Sequence, residues 1–180
     1  MKKSESYVVA VSKILVEQNN LKEDEARALQ KAFKDRAEAS FDDFLLEEGL
    51  IDRSDLLNAL SSYYRVPSFD VVGHFFDHML LTQFPKDLLL RSQMIPLQVD
   101  DTILIMIVAE PDNPELLDKI GEHVSYDVRF YVGLAQDITD AVKEFYELAL
   151  TEVPNDDRLR QERDEEDVAR EELLSDEDDY

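Results

Sequence analysis

The run ILIMIVA at 103–109 carries no polar side chain on either face of an extended strand. A strand exposed on one side alternates apolar and polar residues, so a run without alternation must be covered on both faces. It is also far too short to cross a bilayer as a helix, which takes about 20 apolar residues. The sequence around it supplies the cover. MIPLQVD precedes it and the turn residues Asp100 and Asp101 join the two into a hairpin. DNPELLDKIGEHV then reads as a helix with Asp112 or Asn113 as cap and Pro114 at its first position. SYDVRFYVGL is a further strand rich in β-branched and aromatic residues, and AQDITDAVKEFYELAL is a closing amphipathic helix. Upstream, VPSFDVV is a short extended piece held by Pro67. TQFPKDLLLRSQ is a helix starting near Pro85, with Asp87 in its first turn. From Val66 onward the order is therefore β-α-β-β-α-β-α, a small α/β sandwich with helices packed on a sheet.

Up to Tyr64 the texture is different. Apolar residues recur at the helical period in Val8, Val11 and Leu15, then in Ala26, Leu29 and Phe33, and the stretch holds one glycine, Gly49. A weak repeat lies within it at a spacing of thirty: ILVEQNNLKEDEARAL at 14–29 falls over FLLEEGLIDRSDLLNA at 44–59. Leu15 matches Leu45, Val16 matches Leu46, Glu17 matches Glu47, Leu21 matches Ile51 and Glu25 matches Asp55. In each copy an apolar helix end meets a turn, at Asn19-Asn20 or at Gly49, and both residue types tolerate a left-handed helix cap. Asp52 or Ser54 can then cap the next helix. The expected fold class is α+β: a helical subdomain over 1–64 built from a degenerate tandem helix-turn-helix repeat, an α/β domain over 65–150, and an acidic disordered tail over 151–180.

That tail holds 14 acidic and 4 basic side chains and supplies −10 of the net −23. Few apolar residues and like-charge repulsion leave it unable to offset its ordering entropy, so it is expected to be a solubilising segment that reads as a chain terminus, with transient i,i+4 pairs such as Arg163 and Asp167. The overall acidity, with pI near 4.3, repels phosphate backbones and anionic membrane surfaces. It excludes nucleic acid as a partner. The chain has no cysteine, which removes disulfides, thiolate metal sites and thiol nucleophiles. The N-terminal apolar run is broken by Ser12 and Lys13 and lacks a cleavage site, so a cytoplasmic location without membrane insertion is expected.

Catalytic signals are absent as well. The four glycines are followed by Leu50, His74, Glu122 and Leu134, so no Gly-Lys phosphate loop exists, and there is no Gly-x-Ser-x-Gly. HFFDH places His74 and His78 four apart with Asp70 and Asp77 nearby, a spacing that could aim two imidazoles from one helical face, but no third ligand stands at a diagnostic distance. His123 stands near a helix end, where the dipole accounts for it. We expect no catalytic residues, no metal and no cofactor. Phe75, Phe76, Met79, Leu80 and Leu81 are expected to pack in the core, as most aromatic stripes do.

The run FPKDLLLRSQMIPLQVDDTILIMIVAEPDNPELLDKI, continued by VRFYVGLAQDITDAVKEFY, resembles the N-terminal domain of the assembly ATPases of bacterial type II secretion and type IV pilus systems. The resemblance spans roughly 10–147, and LLEEGLIDRSDLL is similar to the helical half of that family. It implies a non-catalytic, cytoplasmic module that binds a protein component of the secretion or pilus machine at the inner-membrane face, here without the ATPase motor. The alternatives are a cyclic di-GMP-binding regulatory domain and an unrelated adaptor.

Some members of that family bind cyclic di-GMP through tandem copies of a motif resembling R-L-G-x-x-L-V-x-x-G-L-I. Laid on this chain, its apolar part is retained as Leu45, Leu46, Gly49, Leu50 and Ile51. Its polar part is not. The arginine position is Ser40, the first glycine is Asp42, and the upstream copy has Asn19 at the second glycine. The resemblance therefore implies a helix-packing scaffold that has lost its ligand, with Asp42 expected beside the place a dianion would occupy.

Overall fold

A computed structural model describes residues 5–34 and 40–151. By its internal contacts the chain divides into two units, Met1–Phe145 and Tyr146–Tyr180. Of the second, only the end of the last helix is described, so the acidic tail beyond Thr151 lies outside the described residues.

Four helices open the first unit: α1 (Glu5–Glu17), α2 (Glu23–Lys34), α3 (Phe41–Glu47) and α4 (Arg53–Tyr64). Their boundaries follow from the chain's own chemistry. Three carboxylates sit in the first turn of α2 and Lys31 and Lys34 in its last, which matches the helix dipole at both ends. Ser40 caps α3 by accepting from the Asp43 amide, and Asp52 caps α4 by accepting from the Asp55 amide. The apolar faces meet in one core in which Val11, Leu15, Phe44, Leu56 and Ala59 are fully enclosed. Phe33 lies edge-on against Phe41 at 5.1 Å and tilted against Phe44 at 5.5 Å between ring centroids, an arrangement worth about 0.5–1.5 kcal/mol beyond area burial.

The second half adds α5 (His78–Leu81), α6 (Lys86–Ser92), β1 (Met94–Asp100), β2 (Ile103–Val108), α7 (Leu116–Gly121), β3 (Asp127–Val132) and α8 (Ala135–Thr151). The sheet has the order β1-β2-β3, with β1 antiparallel and β3 parallel to β2. β2 is the middle strand, and from Leu104 to Val108 every residue is buried, as its unbroken apolar run requires. The extended piece at 66–72 contributes a single parallel bridge, Ser68 to Val132. α7 starts later than its caps predicted. Asn113 instead accepts from the Glu115 amide at 3.0 Å, a local turn that delays the helix to Leu116.

The two halves are joined. Val132 and Leu134 belong to the same buried cluster as the helical residues, and Arg53 of α4 forms an ion pair with Asp137 of α8. Within the α/β half, Gly133 donates its amide to the Val108 carbonyl and lets the end of β3 approach β2 closely: a Cβ there would lie 2.6 Å from Ile107 Cγ2.

Candidate functional site: a closed turn and an open apolar segment

The five retained motif positions lie on the turn from α3 to α4. Leu45 and Ile51 are buried, Leu46 is half-buried, and Gly49 and Leu50 are exposed. Gly49 sits at φ +68° and Asn19, thirty residues earlier, at φ +60°. Both turns close the same way: the Asn19 amide donates to Val16 O at 3.0 Å and the Gly49 amide to Leu46 O at 3.1 Å. Burial matches too, with Leu15 and Leu45 enclosed, Val16 and Leu46 half-buried, and Leu21 and Ile51 each 5% exposed. Asn and Gly serve here for one reason, the low cost of a left-handed backbone at the end of a helix.

The polar positions differ from expectation. Ser40 is occupied as the α3 cap. Asp42 does not face a ligand site. It is 5% exposed and accepts a hydrogen bond from the Tyr7 hydroxyl at 2.6 Å, so its carboxyl points into the helical core. Burial, and after it the neighbouring carboxylate, hold the Tyr7 hydroxyl protonated well above the ordinary tyrosine range. One correspondence was not read from the sequence. Thirty residues before Asp42 stands Ser12, also buried, its hydroxyl donating to Val8 O at 2.7 Å. Ser12 and Asp42 are the buried polar residues of the described chain. Carrying the thirty-residue offset back from Asp42 would have found this.

The HFFDH stretch does not form a histidine pair on one helical face. His74 lies in the loop before α5 and His78 is that helix's first residue. The His74 ring packs edge-on against Phe69 at 5.1 Å and Phe76 at 4.7 Å, and His78 lies 5.3 Å from the Phe145 ring. No group of three potential metal ligands occurs among the described residues.

Leu80 and Leu81 are buried as expected, but the residues before them are not. Phe75 is 97% exposed, Met79 75% and Val72 60%. The expectation that this stripe packs in the core therefore fails for Phe75 and Met79. The reason is local: Gly73, at φ +73°, turns the chain, and Asp77 caps a helix of a single turn, which has room to bury only one side. A shallow cavity of about 370 Å³ lies between α6 and α7, lined by Pro85, Asp87, Leu88, Arg91, Ser92 and Lys119. Its cations face carboxylates of their own helices, Arg91 to Asp87 at 3.9 Å and Lys119 to Glu115 at 2.9 Å.

Residues 76–152 match the MshEN domain. The matched segment runs from α5 through α8 and leaves the Ser40–Ile51 turn outside it. Among solved structures, MshE with cyclic di-GMP (cdg) aligns with a TM-score of 0.60 and 18% identity, over 76% of this chain and 98% of that one. The N-terminal domain of XpsE aligns with a TM-score of 0.52 and 18% identity, over 79% of this chain and 96% of that one. At this identity the likeness establishes the fold: the chain has the α+β architecture of these structures. No curated protein matches the sequence. Among the described residues, no helix is long and apolar enough to cross a membrane.

Proposed function

We propose that this chain is a non-catalytic docking module of a bacterial secretion or pilus machine, acting at the cytoplasmic face of the inner membrane by binding a cytoplasmic segment of an assembly protein. In this reading the helical repeat over 1–64 and the α/β part over 65–150 form the docking body, and the acidic tail over 151–180 keeps it soluble. One observation carries the proposal. The fold of these relatives is kept while Ser12 and Asp42 are both turned inward, Asp42 of α3 accepting from Tyr7 of α1 and Ser12 donating back onto its own helix at Val8 O. A scaffold that spends its polar positions on its own packing is suited to presenting a surface to a protein. It is poorly suited to gripping a charged nucleotide, which needs donors aimed outward.

The second reading, a cyclic di-GMP receptor, draws support from the likeness to MshE with cyclic di-GMP and from Leu45, Leu46, Gly49, Leu50 and Ile51. Against it stand the loss of arginine at Ser40 and of glycine at Asp42. The two readings part in one experiment. The full chain should co-purify with the cytoplasmic segment of an inner-membrane assembly protein encoded beside it, to the same extent with and without cyclic di-GMP. Capture that requires the nucleotide would favour the receptor, and no capture in either condition would remove the docking proposal.

A further inference from the structure

We infer that Val72, Phe75 and Met79 form a docking surface whose partner is a basic amphipathic helix. The inference rests on the docking reading and names where and with what chemistry it occurs. Its starting point is an energetic mismatch. Leaving a phenylalanine and a methionine in water forgoes about 1.5–3 kcal/mol for each side chain that burial would return. Several exposed apolar side chains within one short segment mark a site of association.

The segment is built to hold them there. The Asp70 carboxylate accepts from the Val72 amide at 3.1 Å, and Asp77 accepts from the Met79 and Leu80 amides at 2.8 and 3.3 Å. Between them Gly73 takes its left-handed turn, and the His74 ring is wedged between Phe69 and Phe76. Phe76, which packs on this wedge, is half-buried, whereas its neighbour Phe75 is directed fully outward. The loop is thus fixed at both ends and in the middle, and little entropy remains to be lost when a partner covers it.

Charge selects the partner. From Val66 to Pro85 there is no lysine or arginine, and the carboxylates of the segment are the exposed Asp70, ahead of Val72, and Asp77, between Phe75 and Met79. The whole chain carries −23. A second copy would bring the same two carboxylates and the same net charge into contact, and an anionic lipid surface would be repelled. The matching surface has an apolar stripe with cations on its flanks. A helix with leucine-like residues at i, i+3 and i+4 and lysine or arginine beside them presents one, and it needs no free backbone groups from a loop that offers side chains only.

The test uses the full chain and a synthetic amphipathic helix of leucine and lysine as the probe, with a leucine and glutamate helix of the same pattern as control. Phe75→Ser/Met79→Ser leaves every charge in place, so any change isolates the apolar surface from general attraction to an acidic protein. We expect that variant to lose about tenfold or more in affinity, and Val72→Ser, on the other side of Gly73, to weaken binding in the same direction. Asp70→Asn/Asp77→Asn keeps both local hydrogen bonds, because asparagine makes the same caps, and should lower affinity and flatten its salt dependence. Equal binding by the double serine variant would overturn the inference. So would equal binding of the glutamate helix, self-association of the wild type that the serine variant lacks, or stronger binding to phosphatidylcholine/phosphatidylglycerol vesicles than to the lysine helix. The same serine variant separates this inference from the docking reading. If the co-encoded cytoplasmic segment binds wild type and variant alike, the surface is wrong and docking stands; if it binds neither, docking itself fails.

Discussion

The turn at 40–51 and the segment at 70–81 are treated in opposite ways by the same fold. In the first, polar side chains have moved inward: Asp42 is buried against Tyr7, and its counterpart Ser12 is buried against Val8 O. In the second, apolar side chains have moved outward, with Phe75 and Met79 in solvent. Both choices run against the usual partition of residues between core and surface. The difference teaches which costs are met internally. A buried polar group is affordable where a partner is built beside it, as Asp42 has Tyr7. The exposed phenylalanine has no such compensation among the described residues, which is why the outward segment, and not the inward one, is the candidate for a partner.

The largest effect that would break this contrast is on nucleotide binding. Removing an arginine contact costs about 1.5–3 kcal/mol. With the glycine at Asp42 lost as well, cyclic di-GMP should bind roughly two to four powers of ten more weakly than to an intact motif. Isothermal titration at physiological salt should show no saturable low-micromolar binding, and such binding, abolished by Leu45→Asp, would mean that the turn is still open. The Asp42 carboxyl is directed to Tyr7, so the weakening comes from missing contacts more than from repulsion of the ligand.

Next in size is the buried pair. Asp42→Ala should destabilise the chain by about 2–3 kcal/mol, because it removes the acceptor of a buried hydroxyl, and chemical denaturation reads this directly. A change under about 0.5 kcal/mol, the range of an ordinary surface substitution, would place Asp42 with the surface residues after all.

A smaller effect sharpens the comparison at the join between the halves. Desolvation raises the Asp137 carboxyl above its ordinary value, and the Arg53 guanidinium lowers it only in part. The folded state therefore holds this proton more tightly than the unfolded one. Its contribution to stability is present below the ordinary carboxylate range and is lost as pH rises through the raised value. Arg53→Ala removes the compensating cation, so it should cost up to about 1 kcal/mol at neutral pH. The cost should shrink near pH 4, where Asp137 can take up a proton. Thermal melts of both proteins at the two pH values check the sign, and a larger loss in acid would refute it.

The smallest expected effect belongs to the outward segment. Phe75→Ser should shift stability by less than about 0.5 kcal/mol, as a surface substitution does. A large drop in melting temperature would show that the ring packs against the fold and would remove the contrast altogether.

The legibility of each region follows from the range of the interactions that shape it. Periodicity and caps are local, so α1 to α4, a cap at Asp52 or Ser54, the left-handed Asn19 and Gly49, the hairpin at Asp100 and Asp101 and the central place of β2 all stood in the sequence, and the structure selects Asp52 for the cap. The direction of a side chain is set by neighbours distant in sequence. Tyr7 and Asp42 are 35 residues apart, and no local signal says that one will receive the other. The outward turn of Phe75 depends on how short α5 is. An apolar string alone cannot report that, since Phe76, Leu80 and Leu81 beside it do pack inward as such strings usually do. The start of α7 was missed because Asn113 has two local uses, helix cap or turn, and their sequences are alike.

The run at 103–109 has a further consequence, one for synthesis and storage. Seven uncharged residues of high β-propensity without a proline are the kind of sequence that stacks into fibrils when left unpaired. In the fold this strand has no free edge, because β1 pairs along one side and β3 along the other. The sheet's outer margins fall instead on β3, which the 66–72 segment meets in one bridge, and on β1, where Pro96 interrupts the ladder, the register shifts between Pro96 and Gln98, and the strand ends on an exposed Asp100. Proline, a bulge and a carboxylate each make a poor template for a foreign strand. β3, however, is made 24 residues after β2 begins. For that interval on the ribosome, the most fibril-prone piece of the protein has its hairpin partner on one side only.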